Sequence, residues 1–97
     1  MKTANEYCLL LRDYKHKHAA EYGIERMGIF GSVARGDQTE DSDVDIYIEA
    51  PQMSLFGLAS LHIALEKHLK TPVDITCKHD NMNAYFKQRI EKELIYV

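Results

Sequence analysis

Apolar residues recur along the chain with two different periods, one typical of helices and the other typical of strands. Residues 3–22 and residues 54–69 carry apolar side chains at helical spacing, which predicts two amphipathic helices. Residues 43–49 and residues 71–77 alternate apolar and polar side chains, which predicts two half-buried strands. In both strands the apolar positions fall on one face, so the polar positions share the other.

Glycines divide the segment between the first helix and the strand at 43–49. The sequence of residues 24–30 predicts another strand, although Gly28 makes strand formation less favourable. Gly31 and Ser32 end that strand and open a short helix that runs to about Gly36 or Asp37.

The C-terminal segment predicts a last helix, capped by Asp80 or Asn81 and continuing through Ile95. Its aromatic and apolar residues are expected in the core: Tyr85, Phe86 and Ile90. The apolar residues 95–97 either complete the core or form part of a partner surface.

This order of elements predicts an α/β (α+β) fold, in which a small β-sheet is flanked by helices. The connection from Phe30 to Asp43 has about the minimum length for a parallel crossover, which favours a mixed β-sheet over an all-parallel one. With 97 residues, the chain is expected to form one domain spanning residues 1–97.

Charge and composition narrow the classes of function. The net charge of −3 argues against a protein that binds nucleic acid directly, because such proteins are usually basic. No apolar run approaches the length of a membrane span. Cys8 and Cys77 lie far apart and outside any CxxC motif, which favours reduced thiols. We therefore expect a cytoplasmic protein that contacts neither nucleic acid nor membrane.

A glycine-serine turn followed by paired carboxylates carries the candidate chemistry. Gly31 allows the backbone to approach a phosphate closely, and Ser32 adds a hydroxyl donor beside amides that point at the anion. Arg35 follows one helical turn later and could face the same anion. Asp43 and Asp45 share one strand face and could hold Mg²⁺ against phosphate oxygens.

A third carboxylate extends this interpretation. Asp74 lies on the polar face of the strand predicted at 71–77. If the polar faces of the two strands coincide, Asp43, Asp45 and Asp74 converge, as a displacement at phosphorus assisted by two metal ions requires. These residues alone indicate metal-dependent chemistry on a nucleoside triphosphate.

The motif Gly31-Ser32-Val33-Ala34-Arg35-Gly36, followed by Ser42-Asp43-Val44-Asp45, resembles the signature of the minimal nucleotidyltransferases. These belong to the polymerase-beta-like nucleotidyltransferase superfamily, whose third metal-site carboxylate is matched here by Asp74. The resemblance covers nearly the whole chain.

The resemblance implies a role for each matched residue. Gly31 and Ser32 would bind the triphosphate of ATP with support from Arg35. Asp43 and Asp45 would bind two Mg²⁺ ions. Asp74 would bind one of these ions and help to deprotonate the hydroxyl that attacks the α-phosphorus. The products would be pyrophosphate and an acceptor carrying AMP.

The resemblance also implies a partner. Many minimal nucleotidyltransferases are antitoxins paired with a HEPN-type ribonuclease toxin, and the better understood ones transfer AMP to a toxin tyrosine. A chain this short has no room for the second lobe with which larger nucleotidyltransferases grip the acceptor. We therefore expect a hetero-oligomer with a HEPN-family toxin.

Other interpretations of the same residues stay open. Gly31 and Ser32 could form only a strand-to-helix turn, and Arg35 could be a surface arginine. At the level of function, the chain could be a non-catalytic antitoxin that occludes its toxin. It could also be a nucleotidyltransferase for a small-molecule acceptor.

Overall fold

A computed structural model describes residues 2–97, which form four helices and four strands. In chain order these are α1 (Ala4–Tyr22), β1 (Arg26–Phe30), α2 (Gly31–Arg35), β2 (Val44–Glu49), α3 (Leu55–Leu69), β3 (Val73–Cys77), α4 (Ala84–Glu93) and β4 (Ile95–Tyr96). Thr3 caps α1 and Ser54 caps α3, each by accepting a hydrogen bond from a backbone N–H of the first turn.

The four strands form one mixed sheet in the order β3-β2-β1-β4. β1 pairs antiparallel with both β2 and β4, whereas β2 pairs parallel with β3 through the crossover helix α3. The predicted mixed sheet flanked by helices is therefore confirmed. The short connection after β1 favours the antiparallel pairing with β2 that the structure shows.

The main core lies between one face of the sheet and the pair of helices α1 and α3. The alternating positions of β2 that face this core are fully buried, as are the last three leucines of the α3 stripe. They are Val44, Ile46, Ile48, Leu61, Leu65 and Leu69. The periodicities of the sequence thus correctly predict which sides of β2 and α3 are buried.

The opposite face of the sheet is covered by α4. Ile90 is 2% exposed and packs there with Phe30 and Tyr47. Gly28 lies on this face too, and a Cβ at this position would come within 2.8 Å of the Leu94 side chain and 2.6 Å of the Ile95 carbonyl oxygen. Glycine in β1 is therefore required by close packing against the C-terminal segment.

The C-terminal region differs from the sequence prediction. α4 begins after Asn83, not after Asp80 or Asn81, because the Asn83 side chain accepts hydrogen bonds from the first turn of the helix. The helix ends before Leu94, which is extended. Ile95–Tyr96 then pair with β1 as an edge strand that the sequence analysis did not predict.

Two residues expected in the core are exposed. Tyr85 is 76% exposed and Phe86 is 38% exposed, whereas Ile90 is buried as predicted. A single helix on this face buries only a narrow stripe. Within residues 2–97, no helix combines the length and the apolar character needed to cross a membrane.

Candidate active site

Two of the predicted carboxylates lie side by side in the sheet. Asp45 in β2 is in register with Asp74 in the parallel strand β3, on the face opposite the main core. Asp43 lies just before β2 and is exposed. It is two residues from Asp45, so it shares that face of the extended chain. The predicted coincidence of the two polar strand faces is confirmed.

The turn at Gly31 approaches this pair closely. Gly31 has a left-handed backbone conformation with φ of 75°, which disfavours any residue with a side chain. A Cβ at this position would overlap the Oδ2 atom of Asp45 and come 3.0 Å from its Cγ. The glycine therefore allows the Asp45 carboxylate to lie against the backbone at the start of α2. Ser32 follows it and is half-buried.

Negative charge is concentrated around Asp45. Burial raises the pKa of Asp45, and the neighbouring carboxylates of Asp74 and Asp43 raise this pKa further, while Arg35 lowers it. A carboxylate in these surroundings favours a nearby positive charge, which would relieve the repulsion among the three groups.

A cleft of about 180 Å³ opens between this carboxylate pair and α4. Its lining residues are Phe30, Gly31, Asp45, Asp74, Thr76, Phe86, Arg89 and Ile90. Phe86, which was expected in the core, and Arg89 are additions to the site residues predicted from the sequence. Helical spacing was the available signal, because Phe86 and Arg89 are one turn apart on a helix whose buried Ile90 faces the sheet.

Arg35 lies at the end of α2, where it joins that helix to α4. Its Nη1 atom donates to both carboxylate oxygens of Glu93, at 2.6 and 2.9 Å, and its Nε atom donates to Asp37 at 3.1 Å. The Glu93 side chain is only 15% exposed. A phosphate contact by Arg35, as predicted from the sequence, would require the guanidinium to leave Glu93 or to be shared with it.

Replacing Arg35 by glutamine is expected to lower the melting temperature of the nucleotide-free protein. The half-buried Glu93 carboxylate would lose its short charge-assisted hydrogen bonds from Arg35 Nη1, so α2 and α4 would be less firmly joined. A double-mutant cycle with Glu93→Gln measures the coupling. Additive effects of the two substitutions would contradict the structural role of this ion pair.

A larger groove of about 440 Å³ lies on the same face of the sheet and shares Ile90 with the cleft. Its polar lining mixes both signs of charge and includes Arg26, Glu49 and Lys78. It lacks the close approach of a glycine turn to a carboxylate. We therefore place the candidate chemistry in the smaller cleft.

Within residues 2–97, no three His, Cys, Asp or Glu side chains converge closely enough to hold a metal ion by themselves. The predicted convergence of three carboxylates is therefore found only for the pair Asp45 and Asp74. Mg²⁺ usually takes one or two protein carboxylates and completes its coordination with substrate phosphates and water. The carboxylates of Asp43, Asp45 and Asp74 are oxygen donors of the required type.

Comparison with known proteins identifies the family. Residues 10–97 match the family described as nucleotidyltransferase domain. A protein of Methanocaldococcus jannaschii named "Putative protein adenylyltransferase" is 40% identical over 98 residues, which cover 100% of both chains. The protein adenylyltransferase MntA of Thermococcus cleftensis is 32% identical, over 100% of this chain and 98% of that protein.

Solved structures agree with this assignment. A structure described as a "putative minimal nucleotidyltransferase" superimposes with a TM-score of 0.77 at 32% identity, covering 93% of this chain and 92% of the other. A toxin–antitoxin structure with AMP-PNP has the same fold, with a TM-score of 0.70 at 20% identity, covering 87% of this chain and 69% of the other. The chain therefore belongs to the minimal nucleotidyltransferases, a family of nucleotidyltransferase enzymes.

Proposed function

We propose that this enzyme is a protein adenylyltransferase that acts as an antitoxin. It transfers AMP from ATP to a hydroxyl group, a tyrosine in our proposal, of a HEPN-family ribonuclease toxin. The reaction depends on Mg²⁺. One domain spanning residues 1–97 carries the nucleotide site, and the toxin supplies the acceptor.

Two comparisons support this proposal beyond family membership. Relatives that match the whole chain are named as protein adenylyltransferases, including the MntA protein of Thermococcus cleftensis. A structure with the same fold is a toxin–antitoxin complex with AMP-PNP, an analogue of ATP. Both point to the transfer of a nucleotide to a protein partner.

One observation carries the chemical part of the proposal. Asp45 and Asp74 lie in register on adjacent parallel strands, and the left-handed Gly31, which has no side chain, lets the backbone of the turn lie close to the Asp45 carboxylate. A triphosphate at the Gly31-Ser32 turn would thus place its phosphorus atoms beside the two carboxylates.

The residues of this site can be given roles in the transfer. The Gly31 and Ser32 amides and the Ser32 hydroxyl bind the triphosphate, and Arg35 remains a predicted supporting contact. Asp43, Asp45 and Asp74 fit two Mg²⁺ ions, which would neutralise phosphate charge and help to orient the reacting groups when bound. Asp74 accepts the proton of the acceptor hydroxyl. The hydroxyl oxygen bonds to the α-phosphorus while the bond to pyrophosphate breaks.

The open face of the site agrees with a protein acceptor. A single helix, α4, covers this side of the sheet, and two aromatic side chains of its first turn stay exposed, Tyr85 at 76% and Phe86 at 38%. A partner surface could cover them and exclude water during the transfer.

The proposal is tested by comparing label transfer from α-labelled and γ-labelled ATP to the co-expressed toxin, with Mg²⁺ present. We expect label from the α position only, because pyrophosphate carries the γ-phosphate away. An Asp43→Asn/Asp45→Asn protein should transfer none. Asp41→Asn, which removes an exposed carboxylate from the preceding loop, is the matched control and should transfer normally.

Each other result has a defined meaning. Toxin neutralisation without label transfer, retained by the double mutant, would indicate an antitoxin that works by occlusion. Transfer of label to a small molecule but not to protein would indicate a different acceptor class. Transfer of the γ label would indicate a phosphotransferase and overturn the proposal.

A further inference from the structure

The helix α4 brings one positive charge to the catalytic cleft. Among the cleft-lining residues in the described part of the chain, Arg89 is the one cationic side chain, and it lies across the cleft from Asp45 and Asp74. Its side chain is 58% exposed, and its ion pair is a long contact of 3.7 Å from Nε to Glu93. The guanidinium is therefore accessible to a ligand.

Arg35 and Arg89 share Glu93 unequally. Arg35 makes two short hydrogen bonds to this carboxylate, whereas Arg89 makes only the long contact. Arg35 is thus held mainly by Glu93, which limits it to a supporting contact with phosphate, whereas Arg89 retains most of its donors. A triphosphate entering a site already rich in carboxylates needs nearby positive charge, and planar guanidinium donors match phosphate oxygens well.

Phe86 lies one helical turn before Arg89 and lines the same cleft. Its ring meets Phe30 edge-on, with the ring centroids 6.3 Å apart and an interplanar angle of 77°. The Phe86 ring thus contacts Phe30, and 38% of the residue stays exposed to solvent. An exposed aromatic ring at the margin of a nucleotide site is suited to stacking with a base.

We propose that Phe86 and Arg89 form the nucleotide-binding wall of the site, with Arg89 contacting the polyphosphate and Phe86 stacking on the base. This inference rests on the proposed function, since it concerns the same nucleotide. It adds two binding residues from α4 to the motif residues of β2, β3 and the Gly31 turn. It also gives α4 a function beyond covering the sheet.

The test separates the two contacts by measuring dissociation constants for Mg-ATP and for Mg-tripolyphosphate, which has no base. Arg89→Gln should weaken binding of both ligands about tenfold or more, as expected for loss of a charge-assisted hydrogen bond. Phe86→Leu should weaken Mg-ATP about tenfold, the effect of losing one base stack, and leave tripolyphosphate unchanged. Phe86→Tyr, which keeps the ring, should bind Mg-ATP like the parent protein.

Lys92→Gln is the matched control, because it removes an exposed positive charge from the same helix outside the cleft. It should leave both dissociation constants unchanged.

The other outcomes distinguish this proposal from the proposed function. If Arg89→Gln and Phe86→Leu bind both ligands normally while Asp45→Asn does not bind Mg-ATP, the roles of Phe86 and Arg89 are overturned and the nucleotide site at Asp45 is supported. If the parent protein binds neither ligand, both proposals are overturned. If Lys92→Gln and Arg89→Gln weaken binding equally, the effect of Arg89 is due to net charge alone, and its proposed contact with the polyphosphate is overturned.

Discussion

Replacing Asp45 by asparagine is expected to reduce transfer of AMP at least about a thousandfold and to raise the melting temperature of the nucleotide-free protein. The loss of activity follows from removing a carboxylate at the centre of the site, where stabilisation of developing charge is worth several kcal/mol. The gain in stability follows because asparagine occupies nearly the same volume without the charge that opposes Asp74 and Asp43. Activity and stability therefore change in opposite directions.

The pH dependence of stability gives an independent check of this expectation. The folded-state pKa of Asp45 is raised, so the folded protein binds the proton more tightly than the unfolded chain does. The contribution of this proton to stability is full below the unfolded pKa of about 3.9 and is lost as pH rises through the raised folded pKa. The stability advantage of Asp45→Asn should therefore be absent at the acidic end of this window and grow towards neutral pH.

Thermal unfolding at several pH values, with and without Mg-ATP, measures both effects. Mg-ATP should raise the melting temperature of the parent protein, because a ligand that binds only the folded state stabilises it. Asp45→Asn should lose this rise, whereas the loop variant Asp41→Asn should keep it. An equal Mg-ATP shift in the Asp45 variant would place the nucleotide site elsewhere.

Replacing Gly31 by alanine is expected to abolish Mg-ATP binding as well as to destabilise the fold. Alanine at a left-handed φ of 75° costs about 1–2 kcal/mol from backbone sterics. In addition, the new methyl group would overlap the Asp45 carboxylate, which would have to move away from the start of α2. This movement would separate the Asp45 carboxylate from the Gly31-Ser32 turn, which together form the proposed nucleotide site.

Gly36→Ala separates these two effects. Gly36 also has a left-handed conformation, with φ of 82°, but a Cβ there would meet nothing within 4 Å. It should therefore show the backbone cost of about 1–2 kcal/mol and retain Mg-ATP binding. If both variants lose the nucleotide equally, the close approach of Gly31 to Asp45 is not what the site requires.

Several features were predictable from the sequence because they depend on local periodicity. The alternation in β2 and β3 correctly assigned Val44, Ile46 and Ile48 to the core, and placed Asp45 and Asp74 on the opposite face. The spacing of apolar residues located α1 and α3, and the glycine-serine motif located the turn before α2. These assignments hold because side-chain direction in a helix or strand repeats with a fixed period.

The C-terminal segment was less predictable because its conformation depends on distant partners. Residues 95–97 are apolar, and nothing local distinguishes the end of a helix from an edge strand that pairs with β1. The exposure of Tyr85 and Phe86 likewise depends on how much sheet surface a single helix can cover. Local spacing cannot supply this information.

The sequence by itself determined the order of the elements from α1 to α4, the buried faces of β2 and α3, the family motif and the alignment of Asp43 with Asp45, because each depends on residues close together in the chain. Tertiary structure alone decided the pairing of Arg35 with Glu93, the packing of Gly31 against Asp45 and the placement of Arg89 across the cleft. The contact of Gly31 with Asp45 depends on the pairing of β1 with β2, and the other two depend on how α4 packs against the sheet and α2, so none can be predicted from residues close together in the chain.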